Sequence, residues 1–419
     1  MKRRVINLSV LLILVAAALP VFIVAMRSTP RASGPLPHEA YVWQRAWTEP
    51  MRDAVTQHAT NFSELVVLAA EVTWNNKNPN VTHVGVDFPT LAKMQTPVGL
   101  ALRIGPFSGP FADNDMTTTF LTELSASLIA EALTNQIVPR ELQIDFDCAE
   151  SKLDGYRVWV EAIKRKISPV PVTITALPSW LNAAAFSRLA QSAGNYVLQV
   201  HSVERPADFK SPFTLCDPRA AQRAVERSAR IGVPFRVALP TYGYVLAFDR
   251  NGKFFDLSAE GPRKNWPVDV HLREVRSDPV ELGALVRTWT TNRPAAMRGV
   301  IWYRLPVAVD NLNWRWPTLG AIMALRSPRE SFRVETRRVE SGLVEINLVN
   351  SGEIDISSRL AVEVHWSDAR LIAGDGLLNF TMTDNGPFTA AFQTQSQPCH
   401  LPAGEKLTLG WLRFDRDCE

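Results

Sequence analysis

The sequence predicts an α/β protein: a (β/α)8 barrel over residues 38–328, followed by a β-sandwich over 329–419. Three observations carry this reading. Eight apolar, strand-like runs alternate with amphipathic segments over about 290 residues, the size and rhythm of such a barrel. The runs are almost continuously apolar, as expected of strands covered on both faces. After Pro328 the helical period disappears and apolar and polar residues alternate singly. A doubly wound open sheet is the alternative that the same alternation permits.

The chain opens on Lys2, Arg3 and Arg4, then an apolar run from Val5 to Met26 broken only by Asn7, Ser9 and Pro20. Its 22 residues reach about 33 Å as a helix, enough to cross a bilayer. Residues 1–27 therefore read as a signal anchor in the inner membrane, with the basic cluster inside and the rest exported to the periplasmic face. A cleaved signal peptide, giving a secreted protein, is the rival. Residues 28–37, rich in Pro, Ser and Gly, read as a linker.

The strand runs follow in order: "YVWQRAW" (41–47), "ELVVLAAEVTW" (64–74), "PVGLALRIGPF" (97–107) and "ELQIDFDC" (141–148). Then come "PVTITALPSWL" (171–181), "NYVLQVHSV" (195–203), "FRVALPTYGY" (235–244) and "MRGVIWYRLPV" (297–307). Helical spacing marks about 114–135, "LDGYRVWVEAIKRKI", "PRAAQRAVERSARIGV", "DPVELGALVRTWT" and "PTLGAIMALR" between and after them. Residues 245–277 are too many for a plain loop and predict a hairpin-bearing insertion on the seventh strand. The tail alternates through "FRVETRRVESGLVEINLVNSGEIDISSRLAVEVHW", with turn signals at "ESG" and "NSGE".

Composition excludes some partners. Forty-five basic residues against 42 acidic ones leave a net charge of +3, no field for nucleic acid. No Gly-rich phosphate fingerprint follows a strand, and no cofactor is expected. No C-x-x-C or H-x-x-x-H spacing occurs, so no metal is expected either. Twelve tryptophans supply possible stacking platforms for sugar rings. The four cysteines suit an oxidising compartment, and local pairing gives Cys148–Cys216 and Cys399–Cys418, one of three connectivities.

Within "ELQIDFDCAE" two aspartates stand in an apolar run, where carboxylates are costly to bury. Strand alternation puts Gln143, Asp145 and Asp147 on one face and Ile144 and Phe146 on the other. The aspartates therefore point into the barrel, with Asp147 nearer the C-terminal mouth where such barrels place their sites. Arg103, on strand three, is the expected counter-charge. Two close carboxylates there should have their pKa values pushed apart, as acid–base chemistry requires. A purely structural Asp–Arg network is the competing account. Gln199 and His201 end strand six, Tyr242 ends strand seven in "LPTYGY", and Trp302 and Tyr303 lie in "GVIWYRLP" on strand eight. With Trp43 and Arg103 they are the candidate substrate-binding residues.

"LQIDFDCAE", "LPTYGY" and "GVIWY" resemble the fourth, seventh and eighth strands of family 18 glycoside hydrolases, the chitinase-like barrels. The overall pattern resembles an uncharacterised bacterial family known as a domain of unknown function. The first resemblance implies a strand-four motif D-G-x-D-x-D-x-E, whose last Glu donates a proton to the glycosidic oxygen and whose preceding Asp orients the substrate. Asp145 and Asp147 match the second and third aspartates. Leu142 and Gln143 replace the initial Asp-Gly, Ala149 falls at the acid position, and Glu150 lies one residue beyond. A bulge at Cys148 would re-aim Glu150. The expected catalytic set is thus Asp145, Asp147 and Glu150.

Two functions are carried forward. One is a glycoside hydrolase acting on an envelope or extracellular polysaccharide. The other is a glycan-binding or envelope-assembly protein that has lost its acid. A scaffold with a plugged mouth is a third, since fold alone decides none of these.

Overall fold

The computed structural model describes residues 29–417, apart from 76–77, 203, 260 and 396–397. The expected anchor and its apolar run lie outside the described residues, and so does Cys418. Among the described residues no helix is long and apolar enough to cross a membrane.

Eight parallel strands close into a barrel. They are β1 (His38–Val42), β2 (Glu64–Asn75), β3 (Val98–Ile104), β4 (Leu142–Phe146), β5 (Val172–Ala176), β6 (Tyr196–Gln199), β7 (Phe235–Pro240) and β8 (Met297–Tyr303). Each pairs with the next, and β8 returns to β1. One helix follows each strand: α1 (Glu49–His58), α2 (Phe88–Ala92), α3 (Met116–Thr134), α4 (Leu153–Ile167), α5 (Ala184–Ala193), α6 (Pro218–Ala229), α7 (Pro279–Thr291) and α8 (Trp316–Met323). The open-sheet alternative is excluded by this closure.

Local chemistry starts these helices. The side chains of Asp87, Asp115, Asp217 and Asp278 accept backbone N–H groups at the first turns of α2, α3, α6 and α7. Proline follows Asp217 and Asp278 at the first helical position, where no N–H is needed. On β4 the alternation works as read. Ile144 and Phe146 turn outward, Phe146 against Tyr156 and Trp159 of α4 at ring separations of 5.2 and 5.1 Å. The Tyr156 hydroxyl donates to the Ile144 carbonyl at 2.9 Å.

Several boundaries move. The first strand begins at His38 rather than Tyr41 and ends at Val42. The seventh ends at Pro240, and Gly243–Phe248 opens a separate three-stranded antiparallel sheet with Phe254–Ser258 and His271–Arg276. This is the expected insertion. The end of β2 carries an antiparallel partner, Asn78–His83, which the sequence reading omits. Residues 31–32, read as linker, form a short strand against Arg293–Pro294. Arg31 also pairs with Glu226 of α6 at 2.8 Å, so this stretch is strapped to the barrel.

The tail forms only strands. Phe332–Glu340, Leu343–Asn350, Lys406–Phe414 and Leu371–Gly376 make one sheet. Ala361–His365, Thr389–Thr394 and Phe380–Gly386 make another. Ile346, Leu348, Phe392, Leu409 and Leu412 share one apolar cluster drawn from both, as in sheet-on-sheet packing. Gly342 takes φ 71° in the expected "ESG" turn, where a side chain would strain the backbone.

The expected Cys148–Cys216 disulfide is not formed, and Cys418, the expected partner of Cys399, lies outside the described residues. Cys148, Cys216 and Cys399 are buried free thiols. Cys148 lies after β4 within the influence of Tyr156 on α4, whereas Cys216 sits at the start of α6 and feels Glu281 of α7. Cys148 comes two residues after β4, whereas Cys216 lies far past β6 and just before α6. Burial pushes each of these two thiols up to about 12.

Candidate functional site

The C-terminal mouth of the barrel opens into a cavity of about 920 Å³. Asp145, Asp147, Arg103, Trp43, Gln199, His201, Tyr242 and Tyr303 all line it, so the strand-end reading brings most candidates together. Two do not arrive. Trp302 is fully buried beside the cavity wall, its indole N–H donating to His38 Nδ1 at 3.1 Å and its ring stacked on that imidazole. Tyr303 follows it in the strand, and side chains alternate, so only one of the pair faces the mouth. Glu150 is exposed in the short helical turn Glu150–Lys152 and does not line the cavity. No bulge re-aims it: β4 ends at Phe146, and the Cys148 N–H contacts the Phe146 carbonyl at 3.1 Å.

One row of charges crosses three adjacent strands. Glu71 on β2 is in register with Arg103 on β3, and Arg103 with Asp145 on β4. The Arg103 guanidinium approaches Glu71 Oε1 at 3.8 Å and Asp145 Oδ2 at 3.9 Å. Arg45 closes on Glu71 Oε2 at 2.5 Å. On the other side the Thr175 hydroxyl donates to Asp145 Oδ1 at 2.8 Å. Burial raises the Asp145 pKa, and Arg103 and Thr175 oppose that rise.

Asp147 differs. Its side chain reaches the solvent of the cleft, yet surrounding protein pushes its carboxyl up to about 6, helped by the charge of Asp145 and opposed by Arg103. A carboxyl titrating there is partly protonated near neutrality and can give or take a proton. The two aspartates thus share one face but not one environment.

The opposite wall is aromatic and hydroxylic. The buried His201 ring stacks on Tyr303 at 5.4 Å, and Trp43 lies against Tyr303 at 5.3 Å. The Tyr242 hydroxyl stands between His201 Nδ1, at 3.3 Å, and the Tyr244 hydroxyl, at 3.1 Å, and Ser202 continues the chain at 2.8 Å. Burial lowers the His201 pKa to about 3, so the imidazole is neutral. It is a hydrogen-bonding wall element rather than a cation.

Sequence reading missed Glu71, although "ELVVLAAEVTW" carries the same signal as β4, a carboxylate inside an apolar strand. It also missed Arg205, Arg263 and Lys264, which reach the cavity from irregular loops with no periodicity to reveal them.

Residues 107–308 match the family model described as Domain of unknown function (DUF3142). This stretch includes Asp145, Asp147, His201, Tyr242 and Tyr303. No curated protein matches the chain. Among solved structures, the Bacillus cereus spore cortex-lytic enzyme SleL aligns with TM-score 0.50 at 11% identity, over 71% of this chain and 75% of that one. The SleL enzyme of Bacillus megaterium QM B1551 gives 0.49 at 12%, over 71% and 75%. A chitinase from Chromobacterium violaceum ATCC 12472 gives 0.48 at 13%, over 69% and 98%. The match to a domain of unknown function agrees with the sequence reading, and the alignment with the Bacillus cereus enzyme shows a shared fold alone.

Proposed function

We propose that the cleft at the barrel mouth takes a glycan and that Asp147 is its acid–base group. One observation carries the reading. A carboxyl pushed up to about 6 opens into a cavity of about 920 Å³ with aromatic rings on its wall. Aromatic faces stack on sugar rings, and a carboxylic acid protonated near neutrality is what glycosidic bond cleavage requires. Asp145 would hold the substrate side of Asp147, supported by Arg103 and Thr175. The motifs "LQIDFDCAE" and "LPTYGY" point the same way by resemblance to family 18 glycoside hydrolases. The proposal also places the chain outside the cytoplasm, on the basic cluster Lys2–Arg4 before the apolar run, with an envelope or extracellular polysaccharide as the target.

A second reading keeps the glycan and drops the reaction. Glu150 lies outside the cavity and Ala149 stands at the acid position of the resembled motif, which favours binding without cleavage. One experiment serves both. The full chain and its Asp147→Asn variant are incubated with a panel of bacterial polysaccharides, with reducing-end release and binding read in parallel. The proposal expects release by the parent and none by the variant, with unchanged melting. Binding without release by either selects the second reading. A parent that neither binds nor cleaves any glycan overturns both.

A further inference from the structure

We propose that the glycan this cleft takes is acidic, bearing carboxylate groups, and that Arg205 and Lys264 read that charge. The inference rests on the glycan reading above and adds the substrate class. Among the described residues, six cationic side chains line the cavity against three carboxylates, Glu71, Asp145 and Asp147, a formal excess of three. The excess shrinks on inspection but does not vanish. Arg45 and Arg103 are held by Glu71 and Asp145. Arg304 spends its charge on Asp310, at 2.5 Å. Arg263 approaches Asp256, which is outside the cavity lining, at 3.4 Å. Arg205 and Lys264 remain exposed and form no ion pair among the described residues. With Asp147 partly protonated near neutrality the positive balance grows further.

These two cations stand on a built wall, not on loose surface. The loop after β6, which carries Arg205, is fastened to the sheet inserted after β7. The Phe209 N–H donates to the Gly252 carbonyl at 2.8 Å and the Phe254 N–H to the Ala207 carbonyl at 3.2 Å. Arg273 donates to the carbonyls of Phe209 and Ser211 at 2.6 and 2.9 Å. Arg205 itself lies over the Phe254 ring at 5.9 Å, and its charge reaches Asp256 together with that of Arg263. Lys264 follows Arg263 on the same insertion. A neutral sugar would leave Arg205 and Lys264 without an ion pair among the described residues. A carboxylate-bearing sugar stacked on the aromatic side would bring its anion to them, and a cleft lined by an excess of one charge sign focuses its field on such an anion.

The test measures binding of the full chain to three oligosaccharides of equal length: a neutral one, a uronic-acid one and a phosphate-bearing one. The double variant Arg205→Gln/Lys264→Gln is run alongside, with thermal melting to verify folding. The expected result is at least a tenfold preference for the uronic-acid ligand over the neutral one. That preference should weaken with salt and disappear in the double variant, while neutral-sugar binding is unchanged. Equal affinity for neutral and acidic sugars, or a preference that survives the double variant, overturns this inference and leaves the glycan reading standing. A preference for the phosphate-bearing ligand above the uronic acid overturns the carboxylate assignment. Binding to none of the three fails the glycan reading itself.

Discussion

Asp145 on β4 and Asp147 just past its end line the same cavity, Asp145 closed over by the barrel and Asp147 open to the cleft. Burial first, and the charge of Asp145 second, push the open carboxyl up to about 6. The relationship is directly testable. In the Asp145→Asn variant the neighbouring charge is gone while Arg103 stays, so the Asp147 titration should move to lower pH. Carbon-13 NMR of labelled aspartate carboxyls checks this, as does the alkaline limb of any rate profile, since activity needing protonated Asp147 falls as pH rises through about 6. An unmoved titration would mean that burial alone sets it.

The Thr175 hydroxyl is the one uncharged donor to Asp145 among the described residues. Thr175→Val keeps the shape and removes the donor. It should destabilise the fold by about 1–3 kcal/mol, the cost of leaving a buried acceptor unsatisfied. It should also raise the Asp145 pKa further, because the hydrogen bond favours the charged form. Urea denaturation of parent and variant at neutral pH measures the first effect. A variant as stable as the parent would show that water takes the place of the hydroxyl.

Much of this site was legible in the sequence because charge inside an apolar strand is a strong signal. Asp145 and Asp147 carry it, and Glu71 carries it too in "ELVVLAAEVTW". The barrel was legible because strands covered on both faces need continuous apolar runs, and each run was followed by helical spacing. Trp302 was misplaced because it and Tyr303 cannot both face the mouth, a consequence of the pleat that motif matching ignores. Cys148 and Cys216 do not pair, because a position after a strand in the sequence does not set the distance between two thiols. The basic wall was invisible because Arg205, Arg263 and Lys264 lie on irregular connections whose meeting depends on how the inserted sheet docks.

Cys148 and Cys216 are separate buried thiols, each pushed up to about 12 by burial. Both should resist alkylation in the native protein, because the thiolate is the reactive form and burial suppresses it. Both should react fully after unfolding without reductant. Peptide mass spectrometry reads the outcome. A linked Cys148–Cys216 peptide pair would contradict the structure.

His201 is held neutral by burial, its pKa lowered to about 3. Its ring nitrogens should therefore keep their neutral nitrogen-15 shifts from pH 8 down to about pH 4 in the folded protein, where an ordinary histidine would have protonated. A titration near 6.5 would mean that water reaches the ring and that the Tyr242–His201 contact is open in solution.

The floor of the barrel holds a second set of charges with a different consequence. Arg236 on β7 donates to Glu39 at 2.6 Å and to both oxygens of Glu141 at 2.7 and 2.8 Å. Glu64, beside them on β2, has only the exposed Arg140 among the described residues, at 3.5 Å. Burial, with mutual repulsion, raises Glu39 to about 7 and Glu64 to about 8. Near neutrality the folded state therefore holds protons that the unfolded state has released. The stabilisation is complete below the ordinary glutamate range and is lost as pH rises through about 7 to 8. Unfolding free energy should thus fall between pH 5 and pH 9, by up to about 6 kcal/mol on these shifts, and Glu64→Gln, which cannot ionise, should remove much of that fall. Arg236→Met should act in the opposite direction. It strands Glu39 and Glu141 without their cation, at a cost of about 3–5 kcal/mol at pH 8. That cost should shrink at pH 5, where the stranded carboxyls can protonate. Urea denaturation of the three proteins at both pH values checks the set. Equal pH dependence in parent and Glu64→Gln would show that Glu64 is ionised in the folded protein and that Arg140 satisfies it.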